Sequence, residues 1–256
     1  MFSLEGKKAF ITGGTSGIGR AVAERFIKAG AEVVIVGRRE EGVSIAKDIG
    51  ATFYQADVTQ EEKLIAALQH AEQQLGKLDI LINNAGLDNN GALIEDQDLT
   101  ELRRCFSLNF DAMYALFIHG PKHMSDGGSI VVTSSVAGGF VDLPTYSQYS
   151  ASKAALTSLV RSAALELAPR SIRVNAICPG SIESEMLPAD HPEIPLVEVL
   201  CPLSRIGTPD DVVGLYHFLV ADESRYITGQ KIAVDGGVSA GISLGVMTAI
   251  ETSLST

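Results

Sequence analysis

The sequence predicts an α/β fold: a doubly wound parallel sheet held between two layers of helices. Three observations lead there. Short aliphatic runs recur at 9–11, 33–36, 52–54, 80–82, 130–132, 174–177 and 232–234, and they are apolar at consecutive positions rather than alternate ones. That is how strands covered on both faces read. Longer stretches with helical character lie between them, near 17–29, 40–49, 60–75, 98–119, 149–168 and 209–221. Strict alternation of the two kinds implies a three-layer αβα arrangement. Finally, the first run passes directly into a glycine-rich turn and then a helix.

Taken in order, each element has a local cause. Strand 9–11 feeds Thr12-Gly-Gly-Thr-Ser-Gly-Ile-Gly19, and the helix follows. Strand 33–36 ends at Gly37-Arg38-Arg39. Asp57-Val-Thr-Gln-Glu-Glu reads as a helix start, with a capping residue and early acids. Strand 80–82 runs into Asn83-Asn-Ala-Gly86, and Gly120-Pro121 closes the helix begun near 98. Strand 130–132 leads to Ser134-Ser135. The helix from 149 is apolar nearly all round (Ala154, Leu156, Leu159, Val160, Ala163, Leu165), so burial on two sides, one of them a subunit interface, is expected. Strand 174–177 reaches Pro179-Gly180. The stretch 180–208, with Pro188, Pro192, Pro195 and Pro202, then breaks the rhythm and reads as a lid. Thr208-Pro-Asp-Asp opens the next helix with Pro in the first turn. Residues 1–240 are therefore expected to form one Rossmann-like domain, and 241–256 a tail that docks on a neighbour or frays. Right-handed crossovers put the carboxyl ends of all strands along one edge, where ligands bind.

A chain of 256 residues with 46% hydrophobic and 20% charged residues can bury one sizeable core. Its formal net charge of −11 argues against nucleic acid or an anionic membrane as the main partner. No apolar run is long enough to span a bilayer, and MFSLEGKKAF lacks the pattern of a signal peptide. Cys105, Cys178 and Cys201 are odd in number and far apart, which fits neither a disulfide framework nor a zinc site and points to a reducing cytoplasm. His119 and His123 are separated by Gly-Pro, which spoils a shared helical face, so no metal site is expected.

The glycines at 13, 17 and 19 allow a tight turn and close approach of backbone to phosphate, and the following helix offers free N–H groups to a pyrophosphate. The spacing is G-x-x-x-G-x-G, with Thr12, Thr15, Ser16 and Ile18 completing the loop. At the end of the second strand an acid would meet a free ribose 2′-hydroxyl, whereas an Arg meets a 2′-phosphate. Here Gly37 leaves room, and Arg38 and Arg39 favour NADP(H), with NAD(H) kept open. Alternatively the two arginines pair with Glu40 and Glu41. Asp57 and Val58 are placed to hold the adenine edge, and Asn83, Ala85 and Gly86 to line the cofactor.

Tyr149-Ser-Ala-Ser-Lys153 sets an ammonium on the same helix face as a phenol. A fixed positive charge ~5 Å away at an effective dielectric of ~20 lowers a phenol by about two pK units, which suits a general acid/base near neutral pH.

These motifs, with Asn109, Ser134-Ser135, Pro179-Gly180, Arg205-Ile-Gly-Thr-Pro and Val234-Asp-Gly-Gly237, occur in order over about residues 5–240. In this the chain resembles the classical short-chain dehydrogenases/reductases. The resemblance implies that Tyr149 exchanges a proton with the substrate oxygen and that Ser135 hydrogen-bonds that oxygen. It further implies that Lys153 binds the nicotinamide ribose and that Asn109 holds a water leading from Lys153 to solvent. Pro179, Gly180, Ile182 and Ser184 would meet the nicotinamide end. A homotetramer or homodimer acting on a small alcohol or ketone is then expected, with a 3-oxoacyl thioester as the alternative substrate and a non-catalytic NAD(P)-binding regulator as the rival class. Enoyl reductases of similar type space Tyr and Lys by seven positions, against four here. Two departures stand out: the Ser135–Tyr149 gap is one residue longer than usual, and Ser16 stands where NADP-binding members often carry a basic residue. The substrate pocket is expected from 87–91, 138–146 and 184–203, including Asp88, Phe140, Val141, Asp142, Leu143, Glu185, Met186, Leu187, Asp190 and His191.

Overall fold

Seven parallel strands form one sheet in the order β3-β2-β1-β4-β5-β6-β7. They are β1 Lys8–Thr12, β2 Glu32–Gly37, β3 Thr52–Gln55, β4 Leu78–Asn83, β5 Met124–Thr133, β6 Arg173–Pro179 and β7 Lys231–Val234. The computed structural model describes residues 2–87, 91–185, 187–188, 190–192 and 194–255. Strand order reverses between β1 and β4, which opens a crevice at their carboxyl ends.

The sheet is buried on both faces because its side chains alternate between two apolar layers. Ala9, Ile11, Val33 and Ile35 face α1 (Gly17–Lys28) and α8 (Pro209–Val220), where Val22, Phe26, Val212 and Leu219 complete the layer. Phe10, Val34, Val36 and Leu81 face α3 (Glu61–Leu75), α5 (Ala112–His119) and α6 (Ser147–Leu167), through Leu64, Leu68, Met113, Leu156 and Val160. Each such aliphatic side chain contributes about 1.5–3 kcal/mol on burial. The remaining helices are α2 (Gly42–Ile49), α4 (Leu99–Phe106), α7 (Ile194–Leu200) and α9 (Leu244–Leu254).

Four departures from the sequence reading have physical causes. β5 starts at Met124, well before 130, and its register with β4 shifts between Leu78 and Ile80 to absorb the extra residues. The expected single helix 98–119 is instead α4 and α5 joined by a π-helical turn, Ser107–Asp111. α3 starts without a side-chain cap at Gln60, while the Asp57 carboxylate accepts from the Thr59 backbone N–H (3.0 Å) and hydroxyl (2.8 Å). The segments at 194–200 and 244–254 are helical rather than irregular, and α9 is capped by the Ser243 hydroxyl on the Val246 N–H (3.1 Å).

α6 is covered on two sides within the chain, by β6 and by α4 with the π turn. An outer strip of Ala151, Ser158, Arg161, Ser162 and Leu165 stays exposed. No described helix is long and apolar enough to cross a membrane.

Candidate active site

The carboxyl edge of the sheet is tied together by one polar network. The Asn84 amide donates to the carbonyls of Thr12 and Gly13 (3.2 Å each), and its oxygen accepts from the Thr133 hydroxyl (2.9 Å). Because the single Thr133 hydrogen goes to Asn84, the buried Tyr216 hydroxyl, 2.6 Å away, must donate to Thr133. Burial pushes the Tyr216 phenol up, which keeps that proton in place. The Thr12 hydroxyl accepts from the Asn84 and Ala85 N–H groups (3.0 and 3.1 Å), so its role is to hold the β4 exit beside β1. The Asn83 amide points into the core and donates to the Met113 carbonyl (2.9 Å), so its side chain does not face the crevice.

Above this edge lies the glycine loop. Gly13 and Gly17 have φ of +66° and +50°, values that L side chains rarely adopt. A Cβ on Gly19 would collide with the Gly13 carbonyl oxygen and the Asn84 amide, so close packing of α1 requires glycine there. α1 has no side-chain cap from Ser16 and no acid in its first turn, which leaves its leading N–H groups and positive dipole open to an anion. A Cβ at Gly17 would meet only the Ser184 Cβ, 3.9 Å away. A separate hollow of about 390 Å³ runs along the side of α1, lined by Gly17, Arg20, Ala21, Glu24, Glu183, Ser184, Pro188 and Pro209. The glycine loop and the uncapped α1 terminus, rather than this hollow, fit a dinucleotide pyrophosphate. The Ser184 hydroxyl accepts from the Leu187 N–H (3.1 Å), and the apolar Ile182 bridges to Gly207 across the base of the excursion.

A second hollow, about 430 Å³, lies at the ends of β2 and β3, lined by Arg38, Gln55, Ala56, Asp57, Gln60 and Lys63. Val58, by contrast, is buried in the core beside it. Gln55 fixes the Arg38 carbonyl (2.9 Å). The Asp57 carboxyl is held below its ordinary range: burial opposes this, but the Thr59 hydrogen bonds and the charges of Arg38 and Lys63 outweigh it. A Cβ on Gly37 would strike the Thr15 side chain (2.8 and 3.0 Å), so glycine lets Thr15 close over the strand end. Arg39 pairs with neither Glu40 nor Glu41. Its fork grips Glu185 in the excursion, Nη1 to Oε2 at 2.9 Å and Nη2 to Oε1 at 3.1 Å. Lys63 was not singled out in the sequence; its only local signal is a place three residues after Gln60 in the first turn of α3.

At the exits of β4, β5 and β6 stand Tyr149, Lys153, Ser135 and Asn109. Lys153 is buried on α6; its ammonium donates to the Thr133 carbonyl (3.2 Å) and lies 5.6 Å from the centre of the Tyr149 ring. Tyr149 is half-buried at the start of α6, edge-on to Tyr146. The Ser134 hydroxyl donates to the Lys153 carbonyl (3.0 Å) and so ties β5 to α6, whereas the Ser135 hydroxyl accepts from the Ala137 N–H (3.1 Å) and keeps its own hydrogen for another oxygen. Asn109 sits in the π turn. Its amide oxygen accepts from the Leu87 N–H (2.9 Å), and its nitrogen donates to the Leu87 carbonyl (3.0 Å) and Ser152 hydroxyl (3.3 Å). Gly86 lies between these groups: a Cβ there would be 3.3 Å from both the Asn109 oxygen and the Lys153 ammonium. Pro179 and Gly180 end β6 beside β7, where a Cβ on Gly180 would crowd Asp235 (2.9 Å).

The 138–146 loop opens with a tight turn that bridges Ala137 to Val141, and Asp142 accepts from the Gly138 N–H (3.2 Å). Thr145 has φ of +71°, a strained value for a β-branched residue immediately before α6. Phe140 packs under the Lys231 ammonium (4.5 Å) at the edge of the sheet, so its ring is held there and not in the pocket assigned to it by the sequence. Asp88 and Met186 lie outside the described residues. Among the described residues, no group of three or more His, Cys, Asp or Glu side chains could hold a metal; His119 and His123 instead pair with Glu61 (2.6 Å) and Glu72 (2.5 Å) of α3.

Comparison with known proteins agrees with this geometry. A family model described as enoyl-(acyl carrier protein) reductase matches residues 13–239. The chain is 36% identical to the NADP-dependent (R)-specific alcohol dehydrogenase of Lentilactobacillus kefiri, over 93% of this chain and 98% of that one. Among solved structures, a short-chain dehydrogenase of Burkholderia cenocepacia J2315 in complex with NADP superposes with a TM-score of 0.87, at 33% identity over 92% of this chain and 98% of that one. A blue fluorescent protein from a metagenomic library, in complex with NADPH, gives 0.88 at 30% identity over 92% and 99%. With the glycine loop, the Asn84 tie and the Tyr149–Lys153 pair on one sheet edge, this chain belongs to the short-chain dehydrogenase/reductase family and is an oxidoreductase of that fold.

Proposed function

We propose that the chain interconverts a secondary alcohol and a ketone with NADP(H), accepting NAD(H) less well. The observation that carries this is the buried Lys153 ammonium 5.6 Å from the Tyr149 ring, on the same sheet edge as the glycine loop that Asn84 ties to β4. The nicotinamide, when bound, supplies or accepts the hydride. Gly13, Thr15, Ser16, Gly17, Ile18 and Gly19 would hold the pyrophosphate, Asp57 the adenine, and Arg38 and Arg39 a 2′-phosphate. Asn83, Ala85 and Gly86 would pass it by backbone, while Pro179, Gly180, Ile182 and Ser184 would flank the nicotinamide. Tyr149 exchanges a proton with the substrate oxygen, and the positive charge of Lys153 favours its phenolate. Ser135 donates to the same oxygen and stabilises its developing charge. Asn109 positions the Leu87 backbone and would hold a water connecting Lys153 to solvent.

The NADP-dependent alcohol dehydrogenase among the relatives supports the reaction class, and the NADP and NADPH complexes among the structural neighbours support the phosphate assignment. The description of the family model favours an enoyl reductase as the second reading; the four-residue Tyr149–Lys153 spacing weighs against it. A 3-oxoacyl thioester remains the alternative substrate. We infer a cytoplasmic homo-oligomer, since all three cysteines are free and Tyr114, Ile118 and Leu165 expose apolar surface on α5 and α6. The test is a spectrophotometric screen of ketones and alcohols with both cofactors. Activity on them that Tyr149→Phe lowers by roughly 100-fold or more, with cofactor binding kept, is expected. Retained turnover in that variant refutes the mechanism.

A further inference from the structure

The ion pair between Arg39 and Glu185 joins two distant loops at the carboxyl edge of the sheet. Arg39 belongs to the loop leaving β2, on the adenosine side, and Glu185 to the excursion after β6, next to Ser184, which faces Gly17 of the glycine loop. The contact is bidentate, and the two side chains are 49% and 61% exposed. Its neighbour Arg38 is placed otherwise: exposed, lining the hollow at the ends of β2 and β3 with Asp57 and Lys63, and in no ion pair among the described residues. Of two adjacent guanidinium groups, Arg38 thus faces the hollow read as the adenosine site, and a carboxylate occupies the fork of Arg39. The Arg39 pKa is raised by its hydrogen bonds to Glu185 and by that carboxylate's charge, which agrees with an engaged pair.

A 2′-phosphate carries up to two negative charges and accepts hydrogen bonds in the same forked geometry as a carboxylate. It therefore competes with Glu185 for Arg39 and is repelled by the carboxylate it displaces. A 2′-hydroxyl carries no charge and has no use for the fork. Because the pair is largely solvated, its strength is modest and can be overcome by a phosphate.

We propose that Glu185 is a specificity-determining residue that holds the Arg39 guanidinium out of the 2′-phosphate site and so lowers the preference for NADP(H) over NAD(H). This rests on the NADP(H) reading given above.

The probes are 2′,5′-ADP and 5′-AMP, which differ only in the 2′-phosphate, with binding to the full chain measured by calorimetry at low salt. Glu185→Gln is expected to tighten 2′,5′-ADP roughly threefold to tenfold and to leave 5′-AMP unchanged, with the gain shrinking as salt is added. In an Arg39→Gln background the gain from Glu185→Gln is expected to vanish, because there is no fork left to release. No gain, or an equal gain for both nucleotides, overturns the proposal. A gain that persists without Arg39 also overturns it, since Glu185 then acts through space alone. A wild-type chain that binds the two nucleotides equally refutes the NADP(H) reading itself, which separates that failure from the others.

Discussion

Adding one methyl group at Gly86 separates two ways in which the crevice could fail. Gly86 is exposed and does not have a positive φ, so alanine brings no backbone strain. Its Cβ would sit 3.3 Å from the Lys153 ammonium and from the Asn109 oxygen, so those groups must yield by a few tenths of an ångström. Moving the ammonium from 5.6 Å to about 6.0 Å from the Tyr149 ring changes its attraction for a phenolate by about 0.2 kcal/mol at an effective dielectric of ~20, or about 1.4-fold in rate. The methyl also projects into the space through which backbone would approach a bound dinucleotide. Overpacking of that kind costs about 1–2 kcal/mol, roughly tenfold in affinity. Gly86→Ala should therefore raise the cofactor KM about tenfold, lower kcat less than about threefold, and leave Tm almost unchanged. Steady-state kinetics at saturating substrate with varied NADPH, alongside a thermal melt, reads all three. An unchanged cofactor KM would show that the dinucleotide does not pass over Gly86. A large fall in kcat with unchanged KM would show that the Lys153 position matters far more than Coulomb's law at this distance allows.

Three further outcomes follow from the packing. Asn84→Ala removes three side-chain hydrogen bonds joining β1, β4 and β5, and should cost about 3 kcal/mol, lowering Tm by roughly 6–12 °C in calorimetry. At the start of α8, the Asp211 carboxylate accepts from the Thr208 N–H (2.7 Å) and grips Arg205 (2.7 Å), and these bonds hold it well below the usual carboxylate range. A depressed carboxylate stabilises the fold fully above its unfolded pKa, and the contribution fades as acid protonates it. Asp211→Asn should thus cost about 1 kcal/mol at pH 6, with the difference in Tm from wild type narrowing below about pH 4. The Cys178 thiol is buried and pushed up to about 11, mainly by desolvation, and Cys105 and Cys201 are buried too. Native protein at pH 8 should take up no iodoacetamide by intact mass, while denatured protein takes up three equivalents.

The strands and the nearness of Tyr149 to Lys153 were legible because each leaves a local trace. Consecutive aliphatic positions mark a strand buried on both faces, and a four-residue step puts Tyr149 and Lys153 together. The head of β5 left no such trace, since Ser125, Asp126, Gly127 and Gly128 read as a loop. The π turn was hidden because its extra residue shifts the apolar phase between α4 and α5 without breaking the apolar character. α9 did leave one: Ser243 followed by Leu244, Met247, Ile250 and Leu254 has capping and helical spacing. Contacts between distant positions leave nothing to read. Thr133 with Tyr216 and Arg39 with Glu185 are brought together by strand order alone, and so Arg39 was not separable in role from Arg38.

The two chain ends differ in what they touch. The Leu4 N–H bonds to the Ala29 carbonyl at the far end of α1 (2.9 Å), on the edge of the sheet away from the crevice. At the other end, the Ser243 hydroxyl donates to the Val199 carbonyl, and Gly245 lies close against the Val199 backbone, so α9 rests directly on α7 of the excursion. A handle fused after α9, whether an affinity tag, a fluorophore or a tether to a surface, would load α7 and the excursion that follows β6. The same handle before Leu4 would load only the base of the sheet, so immobilisation through the amino end is the arrangement that leaves the crevice undisturbed.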